Sequence, residues 1–159
     1  MASDQLQVAN KHARRAGQKV ALLFVDLDDF KAVNDSDGHA VGDHVLQQAA
    51  QRLRQVVREK DTVAGVGGDE FVTVMRGIAE PADAERLARV FNAAVARPIE
   101  WLGAVFQVIA SVGISQFPDH ADDADAMRRT ADAAMYRVKK SGCNHYAFAR
   151  AVCALAKRA

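Results

Sequence analysis

A run of six apolar residues, Val20-Ala-Leu-Leu-Phe-Val25, breaks off into Asp26-Leu-Asp-Asp29. A short unbroken apolar stretch of this kind marks a β-strand buried on both faces, since each side must meet hydrophobic neighbours. It therefore calls for a layered fold in which helices cover a sheet. Three carboxylates in the four residues that end the run are costly to bury unless water or a cation meets them. A solvated strand end is the plain alternative.

A second acidic cluster sits in Thr62-Val-Ala-Gly-Val-Gly-Gly-Asp-Glu-Phe-Val-Thr-Val-Met75. Gly67-Gly68 between two β-branched runs signals a hairpin turn, because glycine accepts the positive φ of tight turns. The turn holds Asp69 and Glu70 at the lip of the hairpin, where acids beside bare backbone suit a divalent cation with phosphates, or simply keep a loop soluble. Two such clusters, each at a strand end, together supply the carboxylates of a magnesium site.

Lys and Arg number 21 against 20 Asp and Glu. That balance argues against a broad nucleic-acid or anionic-membrane surface. At 159 residues the chain reads as one domain, 1–159, with its core at about 15–148 and an Ala-rich basic tail or linker stub at 149–159. No run approaches the length of a membrane span. The start, Met1-Ala-Ser-Asp-Gln, does not read as a signal peptide. Cys143 and Cys153 lack metal-ligand company and read as reduced thiols of a cytoplasmic domain. The five histidines show no ligand spacing.

Periodicity gives a helix over 4–16, a strand over 19–26 and a short helix from Phe30 to Asn34 closed by the turn-rich Asn34-Asp-Ser-Asp-Gly38. A long helix opens at Gly42-Asp43, with Asp43 suited to its dipole. The hairpin covers about 62–66 and 70–76. Helices follow over Asp83–Val95 and Asp123–Lys140, with one strand over Val105–Ser115 between them and a last strand over His145–Ala149. In that penultimate strand Phe106, Val108, Ala110, Val112 and Ile114 form one apolar face, with Gln107, Ser111 and Ser115 on the other. The fold class is α+β, or mixed α/β.

The motifs resemble the GGDEF domain, the diguanylate cyclase family. Asp26-Leu-Asp-Asp-Phe-Lys-Ala-Val-Asn-Asp-Ser-Asp-Gly-His39 is similar to the family's D-x-D-x-F-K-x-x-N-D-x-x-G-H stretch, and Gly42-Asp43 follows at its spacing. Asp61-Thr-Val-Ala leads into the Gly-Gly-Asp-Glu-Phe signature, and Ser111-Val-Gly-Ile114 and Ala131-Asp-Ala-Ala-Met-Tyr-Arg-Val-Lys139 match later segments. The family's opening Leu-Thr-Gly-Leu-Pro-Asn-Arg segment is not in this sequence.

The resemblance implies a palm like that of nucleotidyl cyclases, with a central, mostly antiparallel five-stranded sheet flanked by helices. It implies one GTP per domain and a homodimer that forms cyclic di-GMP, with Mg²⁺ or Mn²⁺ as cofactor. Asp26 and Asp69, with the carbonyl of Leu27, take the metal-binding places. Glu70 contributes to that site or to activating the 3′-hydroxyl. Asn34 and Asp43 take the places that read guanine, an amide meeting the base's acceptors and a carboxylate its N–H groups. The amides of Asp29, Phe30 and Lys31 cradle phosphates at a helix start, and Lys139 clamps them. Arg58-Glu-Lys-Asp61 fits the family's R-x-x-D inhibitory site for the product, which Arg86 or Arg89 would complete. Regulatory domains before or after this one are implied as partners.

Two family arginines are absent. Gly65 stands two residues before the signature glycines, and Cys143 stands four after Lys139. A thiol offers phosphate almost nothing beside a planar guanidinium. The triphosphate clamp is therefore thinned, with Lys140 nearby. The alternative to a cyclase is a weak or inactive domain that senses GTP or cyclic di-GMP and regulates a neighbour such as an EAL phosphodiesterase.

Overall fold

The strand predicted from the first apolar run is the centre of the sheet. In the computed structural model, which describes residues 2–150, β1 (Lys19–Asp28) lies between β3 (Glu70–Ile78) and β6 (Ile109–Phe117), antiparallel to both. β2 (Thr62–Gly67) pairs antiparallel with β3, and β7 (Tyr146–Phe148) pairs parallel with β6. The order is β2-β3-β1-β6-β7. The architecture is α+β with a mostly antiparallel five-stranded sheet, as the family resemblance implies.

Alternation along β1 feeds two cores. Ala21, Leu23, Val25 and Leu27 pack with residues of α3 (His39–Val56) and α4 (Pro81–Val95). Val20, Leu22 and Phe24 pack with α1 (Ala2–Ala16) and α5 (Ala124–Lys140). Asp26 and Asp28 continue the second series, so the acids point to the α5 side. α5 lies directly on β6. A β-carbon at Gly113 would overlap the Ala131 carbonyl and the Met135 amide, so only glycine permits this approach.

Several element boundaries differ from the sequence reading. The turn-like Asn34–Asp37 is helical and completes α2 (Phe30–Asp37), and α3 starts at His39, so Asp43 is not in its first turn. Phe30 is buried and Gly38, at φ 92°, makes the junction between the two helices. Tertiary packing overrides the turn preference of Asn-Asp-Ser-Asp.

The predicted strand over Val105–Ser115 is broken at Gln107-Val108. Its first part, β5 (Ala104–Phe106), pairs instead with β4 (Ile99–Trp101) in a separate two-stranded sheet that the sequence did not show. Its second part is buried on both faces, since Ser111 and Ser115 are fully enclosed beneath α5. Ser115 bonds Thr130 of α5 across 2.7 Å. The tail beyond residue 150, with Cys153, lies outside the described residues.

Candidate functional site

The hairpin and the end of β1 meet. β2 stops at Gly67 and β3 begins at Glu70, leaving Gly68 and Asp69 as a two-residue loop with Gly68 at φ 50°. Glu70 stands opposite Asp26, and the amide of Leu27 donates to the carbonyl of Asp69 at 3.1 Å. The structure thus brings Asp26, Leu27, Asp69 and Glu70 together.

Asp26 is 8% exposed. Its Oδ2 accepts from Lys139 Nζ at 2.8 Å, while its Oδ1 is buried without a hydrogen-bond partner. Burial raises its carboxyl to about 6; the hydrogen bond from Lys139 works against this, and the charges of Asp69 and Glu70 add to it. Glu70 is also raised, by burial first and then by Asp132 and Asp69, with Lys139 opposing. An orphaned, buried carboxylate oxygen among three acids is the environment a divalent cation relieves. Among the described residues no three His, Cys, Asp or Glu side chains form a ready-made metal cage. The acids fit a cation that keeps substrate oxygens as ligands, which is how magnesium is usually bound.

Two acids at this place were given no role of their own in the sequence reading. Asp28, only 3% exposed, accepts from the Ser111 hydroxyl at 3.0 and 2.9 Å and lies 3.4 Å from Lys139 Nζ. Asp132 bears on Glu70. Its signal was present, for it precedes Lys139 by seven residues, two helical turns on one face.

Asn34 and Asp43 are held at the α2–α3 junction. Gly42 is buried, and a β-carbon there would overlap Asn34 Oδ1, so the amide lies against the residue before the exposed Asp43. His44, next along, meets Trp101 of β4 edge to face, with ring centroids 3.9 Å apart. Asp29 has a left-handed φ of 61° at the start of α2, and its carbonyl accepts from Ala32 and Val33. The amides of Phe30 and Lys31 follow in the first turn.

Arg58 and Asp61 form a second, separate constellation in the turn between α3 and β2. Arg58 donates to Asp61 from Nε at 3.0 Å, from Nη2 at 2.9 Å and from its backbone amide at 3.2 Å. Nη2 also donates to the carbonyl of Arg76 at 3.0 Å. They edge a cleft of about 300 Å³ that Met75, Asp83, Arg86 and Leu87 also line. Arg86 pairs with Asp83 at 3.6 Å. Arg89 is elsewhere: it donates to Tyr146 Oη at 3.1 Å and to Glu85 at 2.7 Å. Of the two arginines expected as alternatives, only Arg86 reaches this cleft.

The two missing arginines leave different surroundings. A β-carbon on Gly65 would meet nothing within 4 Å. Cys143 has a left-handed φ of 65°, and its Sγ lies 3.7 Å from the Lys139 carbonyl. Burial, then the charge of Asp28, raises its thiol pKa. Lys140 is turned outward, with Nζ 4.9 Å from the Tyr136 ring.

Residues 1–145 match the family described as "Diguanylate cyclase, GGDEF domain". This chain belongs to that family. The bifunctional diguanylate cyclase/cyclic di-GMP phosphodiesterase MucR of Pseudomonas aeruginosa is 41% identical over 145 residues, 91% of this chain and 21% of MucR. The crystal structure of the GGDEF domain of YfiN (TpbB) from the same organism superposes with a TM-score of 0.91 at 38% identity, covering 93% of this chain and 92% of that one. The GGDEF domain of DgcB from Caulobacter crescentus, in complex with c-di-GMP, gives 0.85 at 25% identity, covering 91% and 86%. The chain spans about a fifth to a third of the length of the first curated relatives it matches. Among the described residues of this GGDEF domain no helix is long and apolar enough to cross a membrane.

Proposed function

We propose that this domain is a diguanylate cyclase: it binds one GTP, pairs with a second copy, and condenses two GTP into cyclic di-GMP and two pyrophosphates. One observation carries the reading. The bond from the Leu27 amide to the Asp69 carbonyl, beside the Asp26–Glu70 pair, puts both acidic clusters at one place. Diguanylate cyclases among the relatives, and the family's general use of divalent cations, support it.

Asp26, Asp69 and the Leu27 carbonyl would hold Mg²⁺ or Mn²⁺. Such a cation, when bound, neutralises charge developing on the phosphates. Asn34 and Asp43 bind guanine and set the orientation of the nucleotide, which lowers the entropic part of the barrier. The amides of Asp29, Phe30 and Lys31, with Lys139, receive the phosphates. The 3′-oxygen of one nucleotide attacks the α-phosphorus of the other, its proton leaves to a base, and pyrophosphate departs. Glu70, whose carboxyl burial raises, is the hairpin acid assigned as that base.

The Arg58–Asp61 cleft, with Arg86 on its wall, is assigned to product inhibition. Arginine meets guanine O6 and N7 or phosphate, and aspartate meets N1–H and N2–H. The bound c-di-GMP in the DgcB domain supports product binding in this fold.

Incubating the pure domain with GTP and Mg²⁺ tests the reading. Cyclic di-GMP forms at a rate rising steeply with protein concentration. No product at high concentration or in a forced dimer, together with tight GTP binding by calorimetry, overturns it in favour of a sensor.

A further inference from the structure

Asp28 is the second acid at the end of β1, and nothing in the proposed chemistry uses it. Yet it is the most enclosed carboxylate of the site and the most heavily bonded. The Ser111 hydroxyl on β6 approaches both of its oxygens, at 3.0 and 2.9 Å. Lys139 Nζ on α5 lies 3.4 Å from Oδ1. The amide of Asn144 reaches Oδ2 at 3.5 Å.

That last donor depends on an unusual turn. Gly142, Cys143 and Asn144 have φ values of 122°, 65° and 50° in succession. Left-handed backbone is disfavoured for cysteine, and such strain persists only where surrounding structure imposes it. Three elements thus converge on one buried side chain.

Asp26 has the opposite character. One of its oxygens accepts from Lys139 at 2.8 Å, and the other accepts from nothing. Lys139 therefore bridges an acid with spare capacity and an acid whose acceptors are engaged. A cation arriving at Asp26 competes with the ammonium there, but finds Asp28 already held by donors from β6 and from the turn.

We propose that Asp28 is a positioning residue that retains Lys139 at the site when a divalent cation takes Asp26, so that the ammonium pivots toward the phosphates instead of moving into solvent. The inference rests on the reading of Asp26 as a cation-binding carboxylate. It assigns Asp28 no contact with cation or nucleotide. Partners of this outer kind orient a site's direct ligands, and their loss typically costs about 10- to 100-fold in affinity or activity.

The experiment needs neither GTP nor turnover, and Mn²⁺ binding is read first in the same samples by water-proton relaxation, with Asp26→Asn as the control, so a failure of Asp26 to take the cation is seen apart from a failure of Asp28 to hold the amine. The folded domain is treated with a limiting amine-acetylating reagent, with and without saturating Mn²⁺. Modification of Lys139 is read by mass spectrometry against its exposed neighbour Lys140.

In the unsubstituted domain Mn²⁺ changes the Lys139/Lys140 ratio by less than about twofold, because Asp28 keeps the amine. In Asp28→Asn, which preserves shape, Mn²⁺ raises the ratio by at least about fivefold, as one charge-assisted bond is lost. Should Asp28→Asn fail to fold, Ser111→Ala removes the hydroxyl that fixes Asp28 and shifts the ratio in the same direction. A Mn²⁺ response in the folded variant equal to that of the unsubstituted domain overturns the inference. So does exposure of Lys139 by Mn²⁺ in the unsubstituted domain itself. A purely structural Asp28 would alter thermal stability and leave this cation-dependent ratio unmoved.

Discussion

The acid site at the end of β1 and the Arg58–Asp61 cleft are both charged, but they are built in opposite ways. At the first, Asp26 is buried beside Asp69 and Glu70, with one oxygen left without a donor. At the second, the Asp61 side chain is 1% exposed, yet it accepts from the amide, Nε and Nη2 of Arg58. The first site carries a standing electrostatic cost that an arriving cation removes. The second is closed on itself, and a ligand must trade its own bonds for those already made. Under the proposed roles, the first site would take a cation readily, and the second would take a ligand only when that ligand offers equivalent donors and acceptors.

The sharpest way to break this contrast is to remove the acids. Asp69→Ala or Asp26→Asn is expected to lower cyclic di-GMP formation at least about 100-fold, measured as initial rate with saturating Mg²⁺ and GTP. Activity within tenfold of the parent would place the cation elsewhere. Next comes the cleft. Arg58→Ala should weaken cyclic di-GMP binding by one to two decades in calorimetry, corresponding to about 1.5–3 kcal/mol for a charged hydrogen bond, while leaving initial rates without product nearly unchanged. Arg89→Ala, which lies outside the cleft, serves as its control.

A smaller effect is expected at the thinned phosphate clamp. Cys143→Arg should lower KM for GTP about three- to tenfold, with kcat changed less, because it adds a charge-assisted donor beside Lys139.

A last effect separates the two regions by stability. Asp26 is raised from 3.8 to about 6, so between those values the folded chain holds its proton more firmly than the unfolded chain. Ionising it therefore destabilises the fold, a penalty that is absent below pH 3.8 and complete above about 6. Asp26→Asn should therefore raise the cation-free Tm near pH 8, by an amount worth about 1–3 kcal/mol, and leave it unchanged near pH 3.5. A Tm that falls at pH 8 would mean the acid is stabilising as it stands.

The sequence carried the central strand, the hairpin and their converging acids, because each is written in contiguous residues: an apolar run, a Gly-Gly pair, and carboxylates beside both. Lys139 and the Asn34–Asp43 pair were reached through motif spacing. What escaped depends on partners distant in the chain. Asp28 reads like any acid at a strand end until Ser111 and the Gly142–Asn144 turn close over it. The break at Gln107-Val108 leaves no mark, since alternation continues through it while the chain passes from one sheet to another. Likewise, Asn34–Asp37 has turn composition, and only the packing of Phe30 and α3 keeps it helical. Arg86 and Arg89 were indistinguishable on the helix, and Tyr146, far along the chain, separates them.

Gly113 carries no side chain of its own, yet the contact it allows governs how far α5 settles toward the sheet. Even one methyl group there would force α5 away from β6 at Ala131 and Met135. The end that carries Lys139 would draw away from Asp26 and Asp28, and both ion pairs would be lost with all three side chains still present.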